Sequence, residues 1–279
     1  MLYTSSPDTP FSPNTSIDPL GFGRVAIVTG CASGIGLAAT QLLLAHQFQV
    51  CGLDAAEFDY ALVRPEDHGR FHFHRGDLTA KEGADEGVRV CVGVFGNRID
   101  VLVNVAGVMD NFSSADAVTD EIWDRVLAVN LTVPVKMMRA VLPFMRARKD
   151  GCVVNVASTA GTSGAVAGVA YTASKHGLIG ATKNVAWRFR NDGIRCNAVL
   201  PGAIDSSIGK TIASGHNEAW DEGGFAEFAP VHALQARPSE AAPSITALEV
   251  ARTIVFLVSD QARTINGVSL PVDKAWGVV

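Results

Sequence analysis

Short apolar runs alternate along the chain with longer stretches in which apolar positions recur at helical spacing. The runs are RVAIVTG (24–30), QVCGLD (49–54), RFHFHRGDL (70–78), IDVLVNVAG (99–107), GCVVNVAS (151–158), IRCNAVLPG (194–202) and VSLPVD (268–273). Helix-like segments such as 35–47, 119–148 and 171–191 lie between them. Strands that are apolar at nearly every position are buried on both faces, and strands separated by helices pair in parallel. The pattern predicts an α/β protein built as one doubly wound parallel sheet of about seven strands, with helices on both faces. In such a sheet ligands sit beyond the carboxyl ends of the strands.

Two stretches break the rhythm. Residues 1–22, MLYTSSPDTPFSPNTSIDPLGF, are rich in Ser, Thr and Pro and show neither period, which predicts a flexible arm preceding a single domain over 23–279. Residues 205–246 mix Gly, Ser, His, Trp, Phe and Pro after a strand end, and read either as a substrate lid or as a mobile surface loop.

Composition narrows the class. Apolar residues make up 48% of the 279 positions and charged residues 18%, a compact globular balance. The net charge of −5 and the lack of a basic stripe argue against a nucleic-acid partner. No window approaches the roughly 18 uncharged apolar residues of a membrane span, and the arm lacks a signal peptide's basic start, so a soluble cytoplasmic protein is expected. The cysteines, Cys31, Cys51, Cys91, Cys152 and Cys196, are scattered, odd in number and free of CxxC pairs. They read as reduced, buried fillers, with no metal site expected.

The first strand ends in TGCASGIG, where Gly30, Gly34 and Gly36 open the next helix. Glycines there permit a tight turn and let backbone approach a pyrophosphate resting on the helix N-terminus, the Rossmann arrangement. Gly30, Ser33, Gly34, Ile35 and Gly36 are therefore candidate cofactor contacts. Asp54 ends the second strand about 20 residues on, where an acid can hydrogen-bond a ribose hydroxyl and repel a 2′-phosphate. Cys31, Ala32, Ser33, Ala55 and Ala56 supply no compensating cation. NAD is expected over NADP.

Tyr171 and Lys175, in AYTASKHG, are one helical turn apart and share a helix face. A free tyrosine has a pKa of about 10, and a nearby ammonium would lower it, making the phenol usable as an acid or base.

Taken together, TGCASGIG, Asp54, Asp77 in GDL, NVAG at 104–107, Asn130 in AVNL, Ser158, YTASK at 171–175 and PGAIDS at 201–206 stand in the order of the short-chain dehydrogenase/reductase family, which the chain resembles from Arg24 to about Asp273. The resemblance implies an alcohol dehydrogenase or ketone reductase in which Tyr171 moves the substrate proton. Lys175 would tune Tyr171 and hold the nicotinamide ribose, Ser158 would orient the substrate oxygen, and Asn130 would hold a water linking the lysine to solvent. By the same resemblance Asp77 and Leu78 meet the adenine; Asn104, Ala106 and Gly107 line the adenosine side; Pro201, Gly202, Ile204 and Ser206 meet the nicotinamide end. The chain departs from the family at Val105, where a second asparagine is usual, at Ser206, where threonine is common, and in PVDKAWGVV, which replaces the usual Val-Asp-Gly-Gly.

The substrate end is expected to include Ala160, Gly161, Thr162 and Val166 with Trp220, Phe225 and Phe228, and His216 or His232 could orient a polar group. No arginine there would clamp a carboxylate or phosphate, so the expected substrate is a lipophilic alcohol or ketone, such as a terpenoid, steroid-like or polyketide metabolite. Gly177, Gly180 and Ala181 would let another helix approach closely, and with the family's habit this implies a homodimer or homotetramer. Two alternatives stay open: a catalytically silent nucleotide-binding module, and an epimerase or dehydratase using the nucleotide transiently.

Overall fold

In the computed structural model, residues 20–204, 221–235 and 245–278 are described; most of the expected arm and residues 205–220 and 236–244 of the expected lid lie outside them. Seven strands form one parallel sheet: β1 (Val25–Thr29), β2 (Gln49–Asp54), β3 (Phe71–Arg75), β4 (Val101–Asn104), β5 (Gly151–Val156), β6 (Ile194–Pro201) and β7 (Ser269–Val272). Their order is β3-β2-β1-β4-β5-β6-β7, the doubly wound plan read from the sequence. The order reverses between β1 and β4, which opens a crevice at their carboxyl ends. β3 and β4 are shorter than their apolar runs because Gly76–Leu78 and Val105–Gly107 leave the sheet and line that crevice.

Side chains alternate across the sheet. Ala26 and Val28 face one side and Val25 and Ile27 the other, with all of β1 buried. Helices α1 (Gly34–Ala45) and α7 (Ala247–Val258) cover the first side. The second is covered by α2 (Gly83–Phe95), α4 (Val133–Arg148) and α5 (Val169–Phe189). Thr246 and Glu249 form a reciprocal capping box that starts α7.

Helix α3 (Asp120–Leu127) meets α4 through a π-turn, Ala128–Thr132, so the 119–148 segment is interrupted at Asn130. The stretch Asp120–Arg148 is long and apolar enough to cross a membrane, but Val133, Met137, Met138, Val141 and Met145 are buried against the sheet as in a core helix. The expected irregular lid contains a helix, α6 (Glu222–Gln235). Gly223, Gly224 and Pro230 obscure it in the sequence, because all three are poor helix formers. At the other end, Gly21 of the expected arm is pinned, its N–H donating to His46 O at 2.9 Å.

Candidate active site

The cleft begins at the glycine turn after β1. Gly30 and Gly34 hold φ of +69° and +52°, and a Cβ on Gly36 would lie 1.9 Å from Gly30 O. A side chain on Gly30 would strike Ala106 backbone at 2.9 Å, so the turns after β1 and β4 touch. Thr29 Oγ1 fixes that contact, accepting from Val105 N at 3.0 Å and Ala106 N at 3.1 Å. The first turn of α1 carries no acidic residue, so its backbone N–H groups face the cleft without a competing anion. This is a cradle suited to a pyrophosphate.

Asp54 stands at the tip of β2 and ties the turn to the strand end, accepting from Ala32 N and Ala56 N, both at 2.9 Å. Arg75 pairs with it across β2 and β3. Its guanidinium is committed to Ala55 O at 3.1 Å and to Glu57. Asp77 accepts from Thr79 N and Oγ1, which hold its carboxyl below the usual range.

Of the expected cofactor contacts, Gly30, Ser33, Gly34, Ile35, Asp54, Asp77, Leu78, Ala106, Gly107, Tyr171, Lys175, Pro201, Gly202 and Ile204 line one cleft of about 740 Å³. Ser206 lies outside the described residues. Asn104 does not line the cleft: it is buried, donating to Asn155 Oδ1 at 2.8 Å, and so ties β4 to β5. Gly36 stands behind the turn it permits.

Tyr171 and Lys175 share the cleft face of α5, with Nζ 5.4 Å from the phenol ring centroid. Lys175 Nζ donates to Val156 O at 3.0 Å. Ser158 closes the triangle from the end of β5, on the same cleft wall; its Oγ accepts from Ala160 N at 3.1 Å. Burial pushes the Tyr171 phenol up to about 12; the nearby Ser158 hydroxyl opposes the rise and the charge of Asp110 adds to it. Burial brings Lys175 down to about 8. The sequence predicts a phenol lowered by the ammonium; in the structure desolvation raises it instead.

Asn130 is fully buried, with its Oδ1 and Lys175 Nζ 3.4 and 3.6 Å from where a Cβ on the cleft-lining Gly107 would lie. It clamps Val108 from both sides, with Oδ1 accepting from N and Nδ2 donating to O, each at 2.8 Å, and Nδ2 also reaches Ser174 Oγ at 3.2 Å. The loop it holds contains Asp110, which the sequence reading missed. Asp110 accepts from Tyr171 N at 2.9 Å and from Gly168 N and Phe112 N at 3.2 Å, capping α5 from a loop 61 residues earlier. Burial pushes its carboxyl above the usual range, although those amides oppose the rise. A lone acid in an apolar loop offered no sequence signal.

Beyond Tyr171 the cleft is walled by Phe112, Ala160, Val166, Phe225, His232 and Trp276. Phe225 and Phe228 meet Phe112 with ring centroids 5.1 and 6.0 Å apart. Gly161 and Thr162, expected in the pocket, are not part of its wall. Gly161 packs under Ile179, and Thr162 Oγ1 donates to Thr159 O at 3.1 Å. Trp220 and His216 lie outside the described residues. All five cysteines are free and buried.

A model of the short chain dehydrogenase family matches residues 24–217. The short-chain dehydrogenase/reductase cdmF of Talaromyces verruculosus is 51% identical over 255 residues, spanning 91% of this chain and 97% of that protein. The asnovolin H dehydrogenase nvfC of Aspergillus novofumigatus is 46% identical over 256 residues, 91% of this chain and 97% of its own. The crystal structure of levodione reductase superposes with a TM-score of 0.81 at 28% identity, covering 93% of this chain and 99% of that one. The glycine cradle, the parallel sheet and these likenesses lead to one conclusion: the chain belongs to the short-chain dehydrogenase family of oxidoreductases.

Proposed function

We propose that the protein is an NAD(H)-dependent oxidoreductase that interconverts a secondary alcohol and a ketone on a lipophilic small molecule. The observation that carries this reading is the convergence of Ser158, Tyr171 and Lys175 on one wall of a cleft whose other end is the glycine cradle. A nicotinamide cofactor bound there would accept or supply the hydride. The cradle and the N-terminus of α1 would hold its pyrophosphate, Asp54 its adenosine ribose, and Lys175 the nicotinamide ribose.

With its phenol near 12, Tyr171 is protonated at neutral pH. It is thereby ready to give its proton to a ketone oxygen as hydride arrives at the carbon; in the reverse sense it takes the alcohol proton. Ser158, on the same wall of the cleft as the phenol, would hold the same oxygen. Lys175, near 8, remains mostly cationic at pH 7 and favours the charged phenolate left behind. Asn130 acts through backbone, holding the loop that carries Met109 and Phe112.

The apolar walls Val166, Phe225 and Trp276, with no arginine among the described cleft residues, favour a lipophilic substrate of the terpenoid, steroid-like or polyketide kind. The printed name of one relative, asnovolin H dehydrogenase, is in keeping with a fungal secondary metabolite. A homodimer or homotetramer is part of the proposal. Val135, Met138, Leu142 and Phe189 line an apolar groove between α4 and α5 that a second copy would cover. A monomeric mass by light scattering at micromolar concentration would remove that part.

The test is fluorescence titration with NADH and NADPH, followed by a screen of lipophilic secondary alcohols and ketones at 340 nm. Tighter NADH binding with turnover is expected. Binding without turnover across the screen would favour the silent module, and no binding would overturn the cofactor assignment.

A further inference from the structure

The tail that departs from the family turns back into the cleft. Lys274 and Ala275 hold φ of 53° and 68° in succession, a left-handed conformation that non-glycine residues avoid. Asp273 makes the turn possible: its carboxylate, 7% exposed, accepts from Ala275 N at 3.0 Å and Gly277 N at 2.7 Å, and its carbonyl from Trp276 N at 3.1 Å. The turn delivers the indole of Trp276, buried, to the substrate end of the cleft.

There the indole meets α6. Nε1 donates to Val231 O at 2.9 Å, and the ring lies 5.5 Å from that of His232. His232 bonds Val166 O through Nε2 at 2.9 Å; a carbonyl only accepts, so that nitrogen carries the proton. The opposite end of α6 rests on the loop after β4, where Asp221 N donates to Asn111 O at 3.2 Å and Phe225 packs on Phe112. Between these ends no described side chain of α6 is fully buried, and Leu234 is 66% exposed. A helix with so little core of its own takes its position from its few anchors.

We propose that Trp276 is a specificity-determining residue: it positions α6 over the substrate end of the cleft and so sets which carbonyl compounds fit. The size-selection part rests on the oxidoreductase reading above; the placement of α6 does not.

The test compares wild type with Trp276→Phe, which keeps the ring and loses the N–H, and Trp276→Ala. Hydrogen exchange followed by mass spectrometry should rise about tenfold across 222–235 in the alanine variant and less in the phenylalanine variant. Exchange across β1 to β6 and the affinity for NADH should stay unchanged. Unaltered exchange at 222–235 would overturn the proposal. So would a general rise in sheet exchange with weakened NADH binding, since Trp276 would then simply hold the fold. In the second arm, the ratio of kcat/KM for 2-decalone to that for cyclohexanone should move about tenfold toward the bicyclic ketone in Trp276→Ala. An unmoved ratio would overturn the specificity role. If wild type reduces neither ketone, the oxidoreductase reading loses its support, while the exchange result still decides what positions α6.

Discussion

The two ends of the cleft are built by different means. At the end proposed for the cofactor the wall is largely backbone, and its left-handed turns fall on Gly30 and Gly34, where they cost little. At the substrate end the surface is made of side chains brought by the loop after β4, by α6 and by the tail. There the left-handed positions fall on Phe112, Lys274 and Ala275, three of the five non-glycine residues with positive φ among the described residues. Backbone N–H groups at a helix N-terminus suit a phosphate, a part of a ligand that does not vary. Side-chain surfaces can change one residue at a time, which suits a family whose members share a cofactor and differ in substrate.

The sharpest way to separate the ends is to remove the one group that serves only the reaction. Tyr171→Phe should cut kcat by about a thousandfold, with NADH affinity nearly unchanged. Near-normal turnover in that variant would take Tyr171 out of proton transfer. The converse experiment attacks the backbone surface. Gly36→Ala forces a methyl to within 1.9 Å of Gly30 O and should weaken NADH about a hundredfold, measured by fluorescence titration.

Asp110 caps α5 at the backbone of Tyr171, so its loss should be felt as misplacement. Asp110→Ala leaves the Tyr171 and Gly168 amides without their acceptor and should lower kcat by more than about tenfold while the NADH Kd moves little. Equal loss in both would make Asp110 a purely structural group. Asp54→Ala should shift the NADH-to-NADPH affinity ratio about tenfold toward NADPH, the worth of one charge-assisted hydrogen bond. An unchanged ratio would remove Asp54 from the adenosine ribose.

The smallest effect is a slope. Lys175 sits near 8 in the folded chain against an ordinary 10.5, so above pH 8 the unfolded state binds more protons than the folded one. Stability from this group is therefore lost at low pH and recovered as pH rises from about 8 toward 10.5. Relative to Lys175→Met, wild type should gain about 2 kcal/mol between pH 8 and pH 9.5 in urea unfolding. Parallel pH profiles would mean that the ammonium is not desolvated.

Legibility followed the same division. Thr246 and Glu249 write a capping box in the sequence itself, and the near-continuous apolar runs of β1, β4 and β5 announce their burial on both faces. The side chain of Asn104 is not legible in the same way, because a strand-end asparagine can face either the cleft or a neighbouring strand, and the pairing Asn104↔Asn155 draws its amide to β5. Helix α6 was missed because two glycines and a proline mask its period, and its position is decided by residues as distant as Phe112 and Trp276.

By itself, then, the sequence determined the parallel sheet, the glycine cradle and the pairing of Tyr171 with Lys175, because each depends on spacing within a strand, a turn or one helical turn. The tertiary structure alone decided that Asp110 caps α5, that Asn130 clamps Val108, and that the indole of Trp276 donates to Val231. Those contacts join residues 22 to 61 positions apart, and the balance of burial against charge that sets Tyr171 and Lys175 exists only once the chain has packed around them.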